Sequence, residues 1–215
     1  MARRLRIEWR AGSKVTAQLA MPRRPRGVGV LLAHGAGAGQ SSWFMATVRD
    51  ALAAAGYPAL TFDYPYIEEG RRRPDQAPKL VECHRAAAER LGSYVREIVL
   101  GGKSMGGRIG GHVADDVDAA GLLFYGYPLV AIGGKVRPLD HLATLDMPKL
   151  FVAGTRDTMS PLPRLRRAIS VLPNAEAALI EGGDHSLNVP KSVGLSQAEI
   201  LDGVVQITVD WLERL

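Results

Sequence analysis

Ile98-Val99-Leu100-Gly101-Gly102-Lys103-Ser104-Met105-Gly106-Gly107-Arg108-Ile109 is the stretch on which the reading of this chain turns. Its apolar start predicts a strand. Met105, Ile109 and Val113 then recur at a spacing that places them on one face of a helix. Between strand and helix stands G-x-S-x-G. A strand-to-helix turn this sharp forces its central residue into a strained backbone conformation. Side chains two residues to either side would collide, so Gly102 and Gly106 are required there. Ser104 is thereby lifted above the end of a sheet, at the start of a helix, in the geometry of a nucleophile elbow.

A glycine-rich pentapeptide alone is weak evidence; the order of the later segments strengthens it. Pro148-Lys149-Leu150-Phe151-Val152-Ala153 reads as a buried strand running into Gly154-Thr155-Arg156-Asp157. Ala177-Ala178-Leu179-Ile180 reads as another, running into Gly182-Gly183-Asp184-His185. Ser104, Asp157 and His185 thus stand in the order serine, acid, histidine, each just beyond a strand. Asp140 and Asp146 are the alternative acids. Asp184 adjoins His185 and reads as a turn residue.

The chemistry asks for these residue types. A serine hydroxyl is a weak nucleophile at neutral pH, and His185 would take its proton and later return it to the leaving group. Asp157 would hold the imidazole tautomer and stabilise the imidazolium. The oxyanion needs preset donors: the N–H of Met105, and an N–H from His34-Gly35-Ala36-Gly37-Ala38-Gly39, for which Ala36 is the expected residue. His34 is expected to brace that loop. Tyr64, Tyr66, Tyr125 and Tyr127 follow strand ends. Tyr66 and Tyr127 are the expected substrate contacts, with loop packing as the alternative.

These motifs resemble those of small α/β-hydrolases over essentially the whole chain, and the size is similar to that of dienelactone-hydrolase-like proteins. Those typically carry cysteine at the elbow, where this chain has Ser104, so their substrate does not carry over. Phe62-Asp63-Tyr64-Pro65-Tyr66, Glu69-Gly70-Arg71-Arg72-Arg73-Pro74-Asp75 and Gly101-Gly102-Lys103-Ser104-Met105-Gly106-Gly107-Arg108 resemble one branch of the superfamily. That branch includes a testis-expressed hydrolase-like protein and a subunit of a chromatin acetyltransferase complex. The resemblance implies the fold and the positions of the serine, acid and histidine, and no substrate.

The 215 residues suit a single domain, 1–215. An apolar content of 47% with 23% charged residues is that of an ordinary globular protein. The lone Cys83 excludes an internal disulfide, reads as a small apolar helix residue, and fits a reducing, cytoplasmic location. Arg3, Arg4 and Arg6 imitate a signal-peptide start, but Glu8, Arg10, Lys14 and Gln18 break up the apolar stretch that a signal peptide needs next. No segment is long enough to span a membrane. The formal charge is +5. Its arginine clusters, without a nucleic-acid motif, read as solvated surface. Arg71, Arg72 and Arg73 are the cluster that could reach a pocket and attract an anionic substrate.

Strands and helices alternate after an N-terminal hairpin of Leu5–Trp9 and Val15–Ala20, predicting an α/β fold with a mostly parallel central sheet flanked by helices. Helices are expected over 42–55, 79–91, from the elbow onward, from Ser160-Pro161, and after the capping box Ser196-x-x-Glu199. Only about twenty residues separate Tyr127 from Met147, too few for a substantial cap domain. The site is therefore expected to be open.

Two cofactor readings fail on spacing. A phosphate loop ending in Gly102-Lys103-Ser104 needs glycine where Glu97 stands, and a dinucleotide fingerprint needs glycine at Gln40. The expected function is hydrolysis of an ester or related acyl bond of a small or short-acyl substrate through an acyl-enzyme on Ser104, as in a carboxylesterase or thioesterase. No metal, organic cofactor, nucleic acid or membrane partner is expected. The alternative is a hydrolase-like binding or scaffold protein.

Overall fold

The structure, a computed structural model, describes residues 2–215. Met1, part of the expected domain, lies outside the described residues. Arg3–Arg10 (β1) and Ser13–Ala20 (β2) form the N-terminal hairpin. The chain then alternates through Val28–Ala33 (β3), Trp43–Ala54 (α1), Ala59–Phe62 (β4), Pro65–Glu68 (α2) and Ala77–Gly92 (α3). Glu97–Lys103 (β5), Met105–Gly111 (α4), Gly121–Tyr125 (β6) and Asp140–Ala143 (α5) come next. Lys149–Gly154 (β7), Leu162–Val171 (α6), Ala175–Ile180 (β8) and Gln197–Leu212 (α7) complete the order.

Local rules account for most boundaries. The box at Ser196 forms as expected: its hydroxyl accepts from the Glu199 N–H, and the Glu199 carboxylate accepts from the Ser196 N–H. α3 begins two residues before the expected Lys79, because Pro78 fits the first turn, where an N–H has no helical partner anyway. α4 stops at Gly111, so Val113 reaches the core from the turns beyond the helix. The short helices α2 and α5 fall below the length at which periodicity is legible.

The eight strands form one sheet in the order β1-β2-β4-β3-β5-β6-β7-β8. β1, β2 and β4 pair antiparallel, and every pair from β4–β3 to β7–β8 is parallel. Buried residues alternate between the two faces, as the pleat requires. Leu31, Ala33, Leu100, Phe124 and Phe151 enter one core layer with Leu80 and Cys83 of α3 and Ile109 of α4. Val30, Leu32, Val99, Leu123 and Val152 enter the other, under Val48 and Leu52 of α1 and Val204 and Trp211 of α7. The strand order reverses at β3 and β5, so right-handed crossovers put α1 and α3 on opposite faces. The crevice beyond the carboxyl ends of those two strands is where open parallel sheets place ligands. Between Tyr127 and Met147 the chain forms only α5 and the isolated bridge Val130–Val136, so no large cap domain is present.

The turns after β7 and β8 are zipped together. Thr155 donates its N–H to the Ile180 carbonyl at 3.0 Å, and Arg156 to the Gly183 carbonyl at 2.8 Å. A Cβ on Gly154 would lie 2.1 Å from the Gly183 oxygen. Alanine there must push the two turns apart. Gly154→Ala should therefore lower unfolding stability by about 1–3 kcal/mol, a typical overpacking cost. Urea denaturation of the variant measures it, and an unchanged midpoint would refute the contact.

His84 of α3 is fully buried. Its Nδ1 meets the Tyr64 hydroxyl at 2.8 Å, and its Nε2 has no partner. Burial, with His34 nearby as the smaller cause, pushes its pKa down to about 3. In the unfolded chain the ring protonates near pH 6.5. Between those values only the unfolded state takes the proton, so stability is full above pH 6.5 and lost on acidification. From pH 7 to 5 the wild type should lose about 2 kcal/mol more unfolding free energy than His84→Gln. Parallel pH profiles for the two proteins would contradict this.

Candidate active site

Ser104 joins β5 to α4 with φ 50° and ψ −113°, a backbone conformation rarely adopted by a residue bearing a Cβ. Its N–H donates to the Tyr125 carbonyl at 2.9 Å, which pins the turn to the end of β6. A Cβ on Gly102 would lie 2.5 Å from the Gly107 nitrogen, and one on Gly106 would lie 2.2 Å from the Ala33 oxygen. The two glycines thus allow α4 to press directly against the ends of β3 and β5.

The Ser104 hydroxyl lies 2.9 Å from His185 Nε2, and His185 Nδ1 lies 2.9 Å from Asp157 Oδ2. The other Asp157 oxygen accepts the N–H groups of Met159 at 2.8 Å and Ser160 at 3.1 Å. Asp157 is buried, so these donors and the imidazole hold a carboxylate away from water. Neither Asp140 nor Asp146 meets His185. Asp184 accepts the N–H groups of Ser186 at 2.7 Å and Asn188 at 2.9 Å, closing the turn that aims the imidazole.

Lys103, absent from the residues that sequence reasoning singled out, supports the same turn. Its Nζ donates to the His185 carbonyl at 3.2 Å and lies 4.9 Å from the centre of the Phe44 ring. Burial pulls the ammonium pKa down to about 8, opposed by the carboxylates of Asp184 and Asp157. Its position inside the elbow motif was the available signal.

The first glycine-rich loop is braced by buried polar groups. His34 Nε2 accepts the Tyr64 N–H at 3.2 Å, so its proton sits on Nδ1, which donates to the Gly35 carbonyl at 2.8 Å. Burial holds this imidazole below its ordinary pKa. Asp63 accepts from the Gln40 backbone at 2.8 Å and from the Gln40 amide at 2.9 Å, fastening the far end of the loop. Ala36 and Met105 both border Ser104. Among the described residues, neither of their N–H groups donates to another protein group.

Tyr66 and Tyr127 follow the loop-packing alternative and not the expected substrate contact. Tyr66 is buried and stacks at 6.5 Å on Tyr64, with its ring edge toward His34 at 5.9 Å. Tyr127 is buried against Phe124 and Phe151, and its hydroxyl meets His141 Nε2 at 3.2 Å. Neither lines the cleft. Both come after strand ends, but their rings turn under the loops, where their apolar area is hidden from water. The arginine expectation also shifts. Arg71 pairs with Glu69 and Asp75, Arg72 and Arg73 point to solvent, and none of the three lines the cleft.

The cleft has two limbs that meet at Ser104. One, about 440 Å³, is walled by Trp43, Phe44, Met45, Lys103 and His185. The other, about 330 Å³, is walled by Leu80, Met105, Pro128, Arg108 and Arg137. Ile132 borders both limbs and is 93% exposed, so the junction is open to solvent at that side chain. Among the described residues no helix is long and apolar enough to cross a membrane. No group of three or more His, Cys, Asp or Glu side chains among them is placed to hold a metal ion.

Solved structures share this architecture. An alpha-beta serine hydrolase homologue from Coxiella burnetii aligns with a TM-score of 0.79 at 19% identity, over 98% of this chain and 97% of that one. Dienelactone hydrolase from Anabaena variabilis aligns at 0.77 and 18% identity, over 100% and 97%. Est1E from Butyrivibrio proteoclasticus, with ferulic acid bound, aligns at 0.80 and 17% identity, over 98% of each chain. At such identities these likenesses establish a common fold. No curated protein matches the chain significantly. The alpha/beta hydrolase domain family matches residues 26–213, and with this sheet order and this elbow the chain belongs to that family.

Proposed function

We propose that the protein hydrolyses an ester or related acyl bond through an acyl-enzyme on Ser104. The observation that carries this reading is the unbroken relay from the Ser104 hydroxyl through His185 to Asp157, with both links at 2.9 Å, at the floor of an open cleft. His185 Nε2 takes the hydroxyl proton as Ser104 Oγ bonds to the substrate carbonyl carbon. The N–H groups of Ala36 and Met105 receive the oxyanion. The bond from carbon to the leaving oxygen then breaks, and His185 returns its proton to that oxygen. Water repeats the sequence on the acyl-enzyme, releasing the acid and restoring Ser104. Asp157 keeps the Nδ1 proton in place and stabilises the imidazolium that forms in each half-reaction. The fold shared with a serine hydrolase homologue supports a hydrolytic reading, and the carboxylesterase or thioesterase subtype is part of the proposal.

A fluorophosphonate should form one covalent adduct, mapped by peptide mass to Ser104, and Ser104→Ala should abolish both labelling and ester turnover. Labelling elsewhere, or none on folded protein, would favour a binding or scaffold role instead.

The open junction beneath Ile132 supplies no deep apolar tunnel for a long acyl chain. A fitted pocket gains about 0.8 kcal/mol per buried methylene. Here kcat/KM should favour acetate and butyrate esters over octanoate and palmitate. A steady rise toward palmitate, measured below the aggregation limits, would defeat the open-site reading.

A further inference from the structure

The limb of the cleft away from His185 holds two half-buried arginines, Arg108 from α4 and Arg137 from the segment after β6. Where arginines elsewhere are drawn against the fold, a carboxylate accompanies them, as Asp50 does Arg49 and Asp116 does Arg85. Among the described residues neither Arg108 nor Arg137 pairs with a carboxylate. Arg108 reaches only His112 Nε2, at 3.5 Å. Arg137 Nε is buried and has no acceptor at all. Burial lowers the Arg108 pKa, and the charge of Arg137 lowers it further, so the two guanidiniums feel one another across the limb.

Among the described residues no acidic group pairs with either of them, although Asp140 shares a neighbouring pocket with Arg137. His112 and His141 stack at 3.8 Å beside Arg108, and burial lowers both pKa values, His141 to about 4, which leaves two neutral rings at neutral pH. Asp75 is the one carboxylate lining the limb, and its Oδ1 already accepts from Arg71 at 2.7 Å and Lys79 at 3.3 Å. Asp75 Oδ2 is buried without a partner and is not paired with either cleft arginine. The one carboxylate of the lining is thus already engaged by two other cations, and the two guanidiniums are left without a counter-charge. A paired arrangement would be the inexpensive one for half-buried guanidiniums, so the limb is built for an anion that arrives with the substrate.

The direction of proton transfer fixes which part of the substrate that is. His185 must deliver a proton to the leaving oxygen, and it lines only the other limb. The leaving group therefore lies along Trp43 and Phe44, and the acyl chain runs toward the arginines. We infer that the acyl portion ends in a carboxylate held between Arg108 and Arg137, which makes the substrate class hemiesters of dicarboxylic acids. This rests on Ser104 being the residue acylated. A carboxylate is planar and matches the fork geometry of guanidinium.

The test pairs mono-4-nitrophenyl adipate with its neutral methyl ester. Calorimetry on Ser104→Ala reads binding without turnover, and kcat/KM on the wild type reads chemistry. The anionic ester should bind roughly 10- to 100-fold more tightly, as expected for charge-assisted hydrogen bonds. That ratio should collapse toward one when Arg108→Gln or Arg137→Gln is added, and it should shrink with rising ionic strength. Because the ratio compares two ligands on one folded protein, altered stability of a variant does not mimic the result. Equal affinity of the two esters for Ser104→Ala overturns the anionic subsite even if the wild type hydrolyses both. A preference that survives both arginine substitutions overturns it as well. Tight anion binding without Ser104-dependent turnover supports the subsite and rejects the hydrolytic reading.

Discussion

The strained turn at Ser104 is the constraint on which the rest of the structure depends. A residue with a Cβ held at φ 50° costs on the order of 1–3 kcal/mol, and it persists only where its surroundings leave no alternative. Here they leave none. The Ser104 N–H is tied to the end of β6, and α4 rests its glycine backbone on the carbonyl oxygens of Ala33 and Gly102. The turn therefore joins the carboxyl ends of three adjacent parallel strands. Its tightness brings the first glycine-rich loop, from β3, up to Ser104 at the end of β5.

Around that turn, the buried polar groups are arranged to fix backbone. His34, neutral by burial, bridges the Tyr64 N–H to the Gly35 carbonyl, and Asp63 fastens Gln40. On the opposite side Asp157 gathers two N–H groups and one imidazole, Asp184 closes the next turn, and Lys103 holds the carbonyl of His185. Each of these loops lacks the repetitive hydrogen bonding of a helix or strand, so side chains replace it. The cleft of this family member, without a large cap, has walls that are aromatic on the His185 side and carry two arginines on the other.

Much of this was legible in the sequence because it rests on short-range rules. The alternation of apolar runs with helical stripes gives a parallel sheet, and the glycines flanking Ser104 give the turn. The capping box at Ser196 fixes the start of α7, and the chain order of Ser104, Asp157 and His185 reflects strands that end at one edge. Asp184 read as a turn residue because its side chain is too close in sequence to serve its neighbour's ring, and the structure places it so.

What the tertiary structure alone decided are properties of packing. Whether an aromatic after a strand faces a cleft or a core depends on the path of the next loop, so Tyr66 and Tyr127 went under the loops and Trp43 and Phe44 came to the cleft. The three consecutive arginines at 71–73 drew attention as a cluster, yet ion pairing and solvent claim them, and Arg108 and Arg137, 29 positions apart, meet in the cleft. A local pattern states which residues share an element and which face they take. Which charges are left without partners is settled only when distant segments are packed together, because pairing and desolvation depend on every group within a few ångströms.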